Sequence, residues 1–159
     1  MNKRQIFYSF HYDNDVMRVQ QVRNIGQLDD NKPVSTNDWE TIKRRGEQAI
    51  KNWIDDQLKY KSCLVVLIGS DTSRRPWVKY EIEKAWNDGK GVLGIYIHNL
   101  KCPRNGISQK GTNPFSQFTL HGNSLAHYVE CYDPNPNDAY NDIRNNIEIW
   151  IERAVQRRK

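Results

Sequence analysis

Cysteine is scarce in this chain. Three residues, Cys63, Cys102 and Cys131, are spread through 159 positions. An odd number with no C-x-x-C pair argues against a disulfide framework or a zinc ribbon, and suits a reducing cytoplasm. Cys63 opens an apolar run and reads as a core residue. Long apolar runs are also lacking: none approaches the roughly 20 residues that a membrane span requires. The start of the chain, residues 1–7, is basic but has no long apolar segment and no small-residue cleavage site. Neither a secretory signal nor a lipid anchor is expected. No charge of one sign dominates, since 24 Lys and Arg face 19 Asp and Glu, a net +5. Much of the excess gathers in Arg153, Arg157, Arg158 and Lys159, where cations suit the negative end of a helix dipole. No basic stripe interleaved with aromatics is present, so nucleic acid is not an expected partner. The four histidines, His11, His98, His121 and His127, lack an i,i+4 metal pair. No metal site is expected, and no G-x-S-x-G elbow surrounds Ser70.

What the chain does hold is a globular composition, 37% hydrophobic and 27% charged, with five Trp and eight Tyr. A chain this long buries roughly two-thirds of its unfolded surface without disulfides or metal. We expect a single domain over residues 1–159. Residues 5–10 read as a buried first strand and 11–15 as a polar turn, followed by Val16, Val19 and Val22 at helical spacing. Residues 26–37 are rich in Asp, Asn and Pro and offer only Val34 for a second strand. A long helix is expected over 38–60, with Asn37 and Glu40 as a capping box and Gly46 as its weak point. Residues 63–68 are continuously apolar, the mark of a central parallel strand covered on both faces. A helix over 74–87 and a strand over 92–97 follow. Residues 98–125 read as a long irregular loop, 126–131 as a short edge strand, and 138–156 as a last helix with Tyr140, Ile143, Ile147, Trp150, Ile151 and Ala154 inward. Alternating strands and helices of this kind imply a three-layer α/β/α fold, flavodoxin-like, with a mainly parallel sheet of four to five strands. Gly89, Gly91 and Gly94 spell G-x-G-x-x-G, but before a strand instead of after one, so we read a turn and not a dinucleotide fingerprint.

In such sheets ligands bind beyond the carboxyl ends of the strands. Those ends are Phe10-His11, Gly69-Ser70 and Ile97-His98. On a helical wheel centred on Val78, Ile82 and Ala85 fall within about 40° and Trp77 and Trp86 at about 100° and 80°, on opposite sides. Glu81 falls about 60° from the centre, inside this apolar arc and between Trp77 and Ala85. Burying a lone carboxylate is costly, so it needs a partner or a purpose. An ion pair with Arg74, Arg75 or Lys84, or snorkelling at the edge of the arc, is the plain alternative to a functional role.

Several segments resemble a known family. Ser62 to Ser70 followed by Arg75-Pro-Trp-Val-Lys-Tyr-Glu-Ile82 resembles the third strand and following helix of TIR domains. Phe-x-Ser-Phe-His-Tyr (7–12), Asp-Trp-Glu (38–40), Ile-Gly-Ser-x-Thr (68–72), Trp-Val-x-Tyr-Glu-Ile (77–82), Gly-Ile-x-Ile (94–97) and Asn-Pro-Phe (113–115) are closer still to the TIR subunits of bacterial Thoeris antiphage systems. The resemblance spans roughly residues 5–118. Residues 26–37 depart from the usual second TIR strand.

The resemblance implies an NAD-consuming enzyme of the NAD+ glycohydrolase or ADP-ribosyl cyclase type, with Glu81 as its catalytic residue. NAD+ is then the substrate and no cofactor is required. The product would be an ADP-ribose-derived signal that diffuses to a partner effector, with a phage component as trigger and a homo-oligomer possible. For substrate binding, the strand ends offer Phe10, His11 and Ser70, and Arg74 and Arg75 could neutralise a pyrophosphate. The resemblance adds Trp77 as a pocket residue, and Trp39, at the start of the long helix, could wall the adenine side. Phe10 and Trp77 as plain core, His11 as a turn residue and Ser70 as a helix cap stay open. A non-catalytic TIR-like interaction or ligand-sensing module is the alternative function.

Overall fold

The computed structural model describes residues 5–23, 43–101 and 106–158. Among these residues four strands form one parallel sheet: β1 (Ile6–Ser9), β2 (Cys63–Ile68), β3 (Gly91–Tyr96) and the two-residue β6 (Cys131–Tyr132), in the order β1-β2-β3-β6. The register runs Ile6 to Cys63, Cys63 to Gly91 and Gly94 to Cys131. All six residues of β2 are buried. The two-residue period of a strand sends them alternately to two cores. Cys63, Val65 and Leu67 face α1 (Tyr12–Arg23) and α4 (Ala139–Arg157). Leu64, Val66 and Ile68 face α2 (Glu47–Lys59) and α3 (Pro76–Asn87). The three-layer α/β/α architecture follows from that two-sided burial.

Several boundaries differ from the sequence reading. The helix expected over 38–60 is interrupted at its weak point, Gly46, which takes φ +96°: residues 43–44 are helical, α2 resumes at Glu47, and residues 38–42 lie outside the described residues. The capping pair Asn37 and Glu40, Val34 and Trp39 lie outside the described residues. The polar turn after β1 is already the first turn of α1, whose ladder opens with the Asp15 amide donating to the His11 carbonyl at 2.9 Å. Ahead of α3, residues Thr72–Arg74 form a 3-10 turn and Pro76 takes the first helical position, where its missing N–H costs nothing.

The glycine-rich turn after α3 is a helix stop. The Lys90 amide donates to the Ala85 carbonyl and the Gly89 amide to the Trp86 carbonyl, both at 3.1 Å, with Gly89 at φ +76°. That pairing is a Schellman motif, and glycine is the residue that enters its left-handed position without strain. The G-x-G-x-x-G string is accordingly a turn leading into β3.

Residues 106–125 are more ordered than their composition suggests. Asn113 caps a 3-10 turn, Pro114–Gln117, by accepting from the Phe115 amide at 2.9 Å, and Phe115 is fully buried. A small antiparallel hairpin follows, β4 (Thr119–Leu120) and β5 (Asn123–Ser124), turned by His121 and Gly122 with φ of 51° and 81°. Two positive φ values are what a tight two-residue hairpin needs. The edge strand expected over 126–131 is displaced: Leu125–His127 form a 3-10 turn capped by Ser124, and only Cys131–Tyr132 pair with β3.

In α4, Ala139, Ile143, Ile147, Trp150, Ile151 and Ala154 are buried, and Trp150 stacks on Tyr132 at 4.3 Å. Tyr140, expected inward, is exposed; Ala139 holds the inward place and Tyr140 sits about 100° round the helix. The basic end of α4 is engaged within the fold. Arg157 pairs with Glu130, and Arg158 lies 3.6 Å over the Trp86 ring while donating to the Trp86 carbonyl. No helix among the described residues is long and apolar enough to cross a membrane.

Candidate active site

The second core contains one carboxylate. On α3, Val78, Ile82 and Ala85 pack against the sheet, and Glu81 is buried with them, 7% exposed. β1 supplies its partner. Alternation along the strand puts Ser9 on the same side as Phe7, the side facing α2 and α3. Ser9 is fully buried, and its Oγ donates to Glu81 Oε1 at 2.9 Å. This bond links positions 72 apart in sequence, at the carboxyl end of the sheet. Burial pushes the Glu81 carboxyl up to about 8, and the Ser9 hydrogen bond works in the opposite direction. No charged side chain among the described residues adds to either cause.

The cations offered by the sequence for an ion pair are engaged elsewhere. Arg74 and Arg75 lie 3.5 Å and 3.2 Å from Asp71, and Lys84 lies 3.3 Å from Asp88. Glu81 is therefore a buried acid held by a neutral hydroxyl.

The other candidates surround this pair unevenly. Trp77, one turn before Glu81, is half-buried and meets Tyr80 edge to face at 5.9 Å. Both line a cavity of about 460 Å³ between the starts of α2 and α3, with Lys43, Glu47, Lys51 and Pro76 on its walls. Glu81 is not part of that lining. Ser70 is exposed at the end of β2. Arg75 stands at the N-cap position of α3, tied to Asp71 and with its Nε buried and unpartnered. His11 is half-buried, its Nδ1 also without a partner. Phe10 packs against the core formed with α1 and α4, the face opposite Glu81, which favours the plain core reading of that residue. The structure thus brings Glu81 together with Ser9 and with the helix that bears Trp77, and leaves Phe10 on the other face. Trp39 lies outside the described residues.

The family model described as "Thoeris protein ThsB, TIR-like domain" matches residues 7–102. The chain belongs to the Thoeris ThsB TIR-like family. It is also 35% identical over 134 residues to the "Putative cyclic ADP-D-ribose synthase ThsB1" of Bacillus cereus (strain MSX-D12), a match covering 79% of this chain and 70% of that protein. The ThsB TIR-like match runs from the second residue of β1 to beyond β3 and so contains both Ser9 and Glu81.

Two features of this TIR-like domain escaped the sequence reading. Ser9 was readable as a small polar residue on the inward face of an apolar strand, in register with Phe7, but the wheel of α3 gave no reason to look for Glu81's partner there. The second is a buried polar cluster under the end of β2. The Thr72 hydroxyl accepts from the Gly69 amide at 2.8 Å and lies 3.4 Å from Asp15 Oδ2. Arg18 stands 3.8 Å from Asp15 Oδ1 and donates to the carbonyls of Leu100 and Gly106, both at 2.9 Å. Buried polar groups need partners, and here they tie the exits of β2 and β3 to α1.

Proposed function

We propose that this ThsB-family domain cleaves NAD+ at the nicotinamide–ribose bond, with Glu81 as the catalytic carboxylate, and makes an ADP-ribose-derived signal for a partner effector in antiphage defence. The observation that carries this reading is a buried, uncompensated Glu81 at the carboxyl end of a parallel sheet. An adaptor surface has no use for such a group, and strongly perturbed acids in such positions cluster at functional sites. The name of the Bacillus cereus relative, a cyclic ADP-D-ribose synthase, supports it.

The chemistry suits a single acid. Glycosidases ordinarily need a second carboxyl to protonate the leaving group. The nicotinamide ring of NAD+ is already cationic and takes the bonding electron pair as it leaves, departing neutral, so no proton is required. Positive charge develops on the ribose, and a carboxylate fixed nearby stabilises it. The low-dielectric core strengthens that interaction. Burial favours the protonated form of Glu81 in the free site. A cationic pyridinium placed beside it favours the ionised form, so substrate binding expels that proton. The oxocarbenium ion is then captured by water, giving ADP-ribose, by a group on the ADP half, giving a cyclic isomer, or by another nucleophile, giving a conjugate. NAD+ is consumed as substrate, and no resident cofactor or metal is invoked. Ser70 and His11 would contact ribose or phosphate, Arg75 would offset pyrophosphate charge, and Trp77 would wall the pocket.

Mass spectrometry of NAD+ incubated with the protein, concentrated and with a phage lysate as trigger, tests the reading. Wild type is expected to yield nicotinamide and an ADP-ribose-derived product, and Glu81→Gln neither. Equal product from both clears Glu81 of the chemistry, and no product from wild type favours a non-catalytic module.

A further inference from the structure

We infer that Ser9 is a positioning residue for Glu81: its hydroxyl holds one carboxylate oxygen, fixes the side chain at the rim of the sheet, and stabilises the ionised state that acts on the substrate. The inference deepens the proposed function and rests on Glu81 being the catalytic carboxylate.

Three observations carry it. First, the contact is a well-formed O–H donor to carboxylate acceptor bond at 2.9 Å, from a donor that is fully buried. A charge-assisted bond of this kind is stronger than a neutral one. Second, Ser9 closes an apolar strand, next to Tyr8 and fully buried on the side of the second core, where Ala or Val would pack without polar cost. Its oxygen has one visible task, and that task is Glu81. Third, nothing else among the described residues neutralises the acid. Lys51 lies 3.5 Å from Glu47 and over the Tyr80 ring. Asp55 accepts from the Tyr80 hydroxyl, Asp71 holds Arg74 and Arg75, and Lys84 meets Asp88. Glu83 on α3 is exposed. β1 and β2 contribute no charged residue, and His11, two positions beyond Ser9, is the next titratable group along the chain. A neutral donor is thus the one lever on this carboxylate, and it favours the anion where burial disfavours it.

Glu81 must be ionised to act, so kcat/KM is expected to rise with pH to a plateau, its midpoint reporting the free enzyme. Ser9→Ala removes the donor. The midpoint is expected to move alkaline by about one pH unit, and kcat/KM at pH 7 to fall about tenfold, the usual scale for a hydrogen bond to a charged group. Part of the loss should be recovered on the alkaline plateau. A purely structural role for Ser9 would instead lower the rate equally at every pH. Ser9→Cys keeps the volume with a weaker donor and should give an intermediate midpoint; it carries the test if Ser9→Ala does not fold.

The experiment pairs nicotinamide release across pH with a carbon-13 NMR titration of the glutamate carboxyls, Glu81 being assigned by its absence in Glu81→Gln. An upward move of the Glu81 midpoint in the order Ser, Cys, Ala, matched by the kinetic midpoint, is the expected result. An unmoved Glu81 midpoint, or a rate loss independent of pH, overturns the positioning role. Wild type that releases no nicotinamide, while its carboxyl still responds to Ser9, overturns the catalytic reading and not the hold of Ser9 on Glu81.

Discussion

Arg18 and Asp15 stand one turn apart on α1, both buried, with 3.8 Å between guanidinium and carboxylate. The guanidinium spends its best-formed hydrogen bonds on two carbonyls of the segment after β3, those of Leu100 and Gly106. The pair therefore works less as a salt bridge than as a bracket between α1 and the exit of the sheet.

Arg18→Met is predicted to destabilise the domain by about 3 kcal/mol, because it leaves two carbonyls short of a donor and Asp15 buried without its cation. Arg18→Lys should recover little, since one ammonium cannot reproduce the forked geometry. Denaturant unfolding of the three proteins checks both statements.

Glu81 makes stability depend on pH. Its folded carboxyl is raised from 4.5 to about 8, by burial against the opposing Ser9 bond. Between these values the folded state binds the proton and the unfolded chain has lost it. Stability is thus fullest below about 4.5 and declines as pH rises through the window to about 8, where it levels off. Glu81→Gln lacks this decline. It is predicted to match wild type near pH 4 and to exceed it by a few kcal/mol at pH 9, since each pH unit across that window is worth about 1.4 kcal/mol. Parallel unfolding curves at the two pH values are the measurement. A variant that is more stable yet inactive is the signature of an acid kept for function.

Gly89→Ala is predicted to cost about 1 kcal/mol through strain at its left-handed backbone position, with no loss of packing, since open space surrounds the site. Gly89→Asn should cost less, because Asn enters that region more readily. Thermal unfolding distinguishes the two.

Much of the fold was legible in the sequence where one local pattern ruled. Residues 63–68 are apolar at every position, and β2 occupies those same residues. Elsewhere local patterns competed. The apolar spacing of α2 runs on through Gly46, so periodicity alone reads one unbroken helix where the backbone of one glycine interrupts it between residue 44 and Glu47. β6 is two residues long and exists because Gly94 and Ile95 offer it an edge, which no count along 126–131 could reveal. The site divides in the same way. The wheel of α3 placed Glu81 inside the apolar arc, and it is buried there. Its partner lies on another element, 72 positions away, and the Asp15 cluster likewise joins α1, the end of β2 and the segment after β3. Such contacts belong to the tertiary fold, and a one-dimensional pattern does not carry them.

The central claim is that the buried acid of α3 performs the cleavage. Its most direct test is the rate of nicotinamide release from NAD+ by wild type and by Glu81→Gln at pH 8.5 or above, with the fold of each verified by circular dichroism. Release by wild type and a loss of at least a hundredfold in the folded variant are predicted. Equal rates from both proteins would contradict the claim.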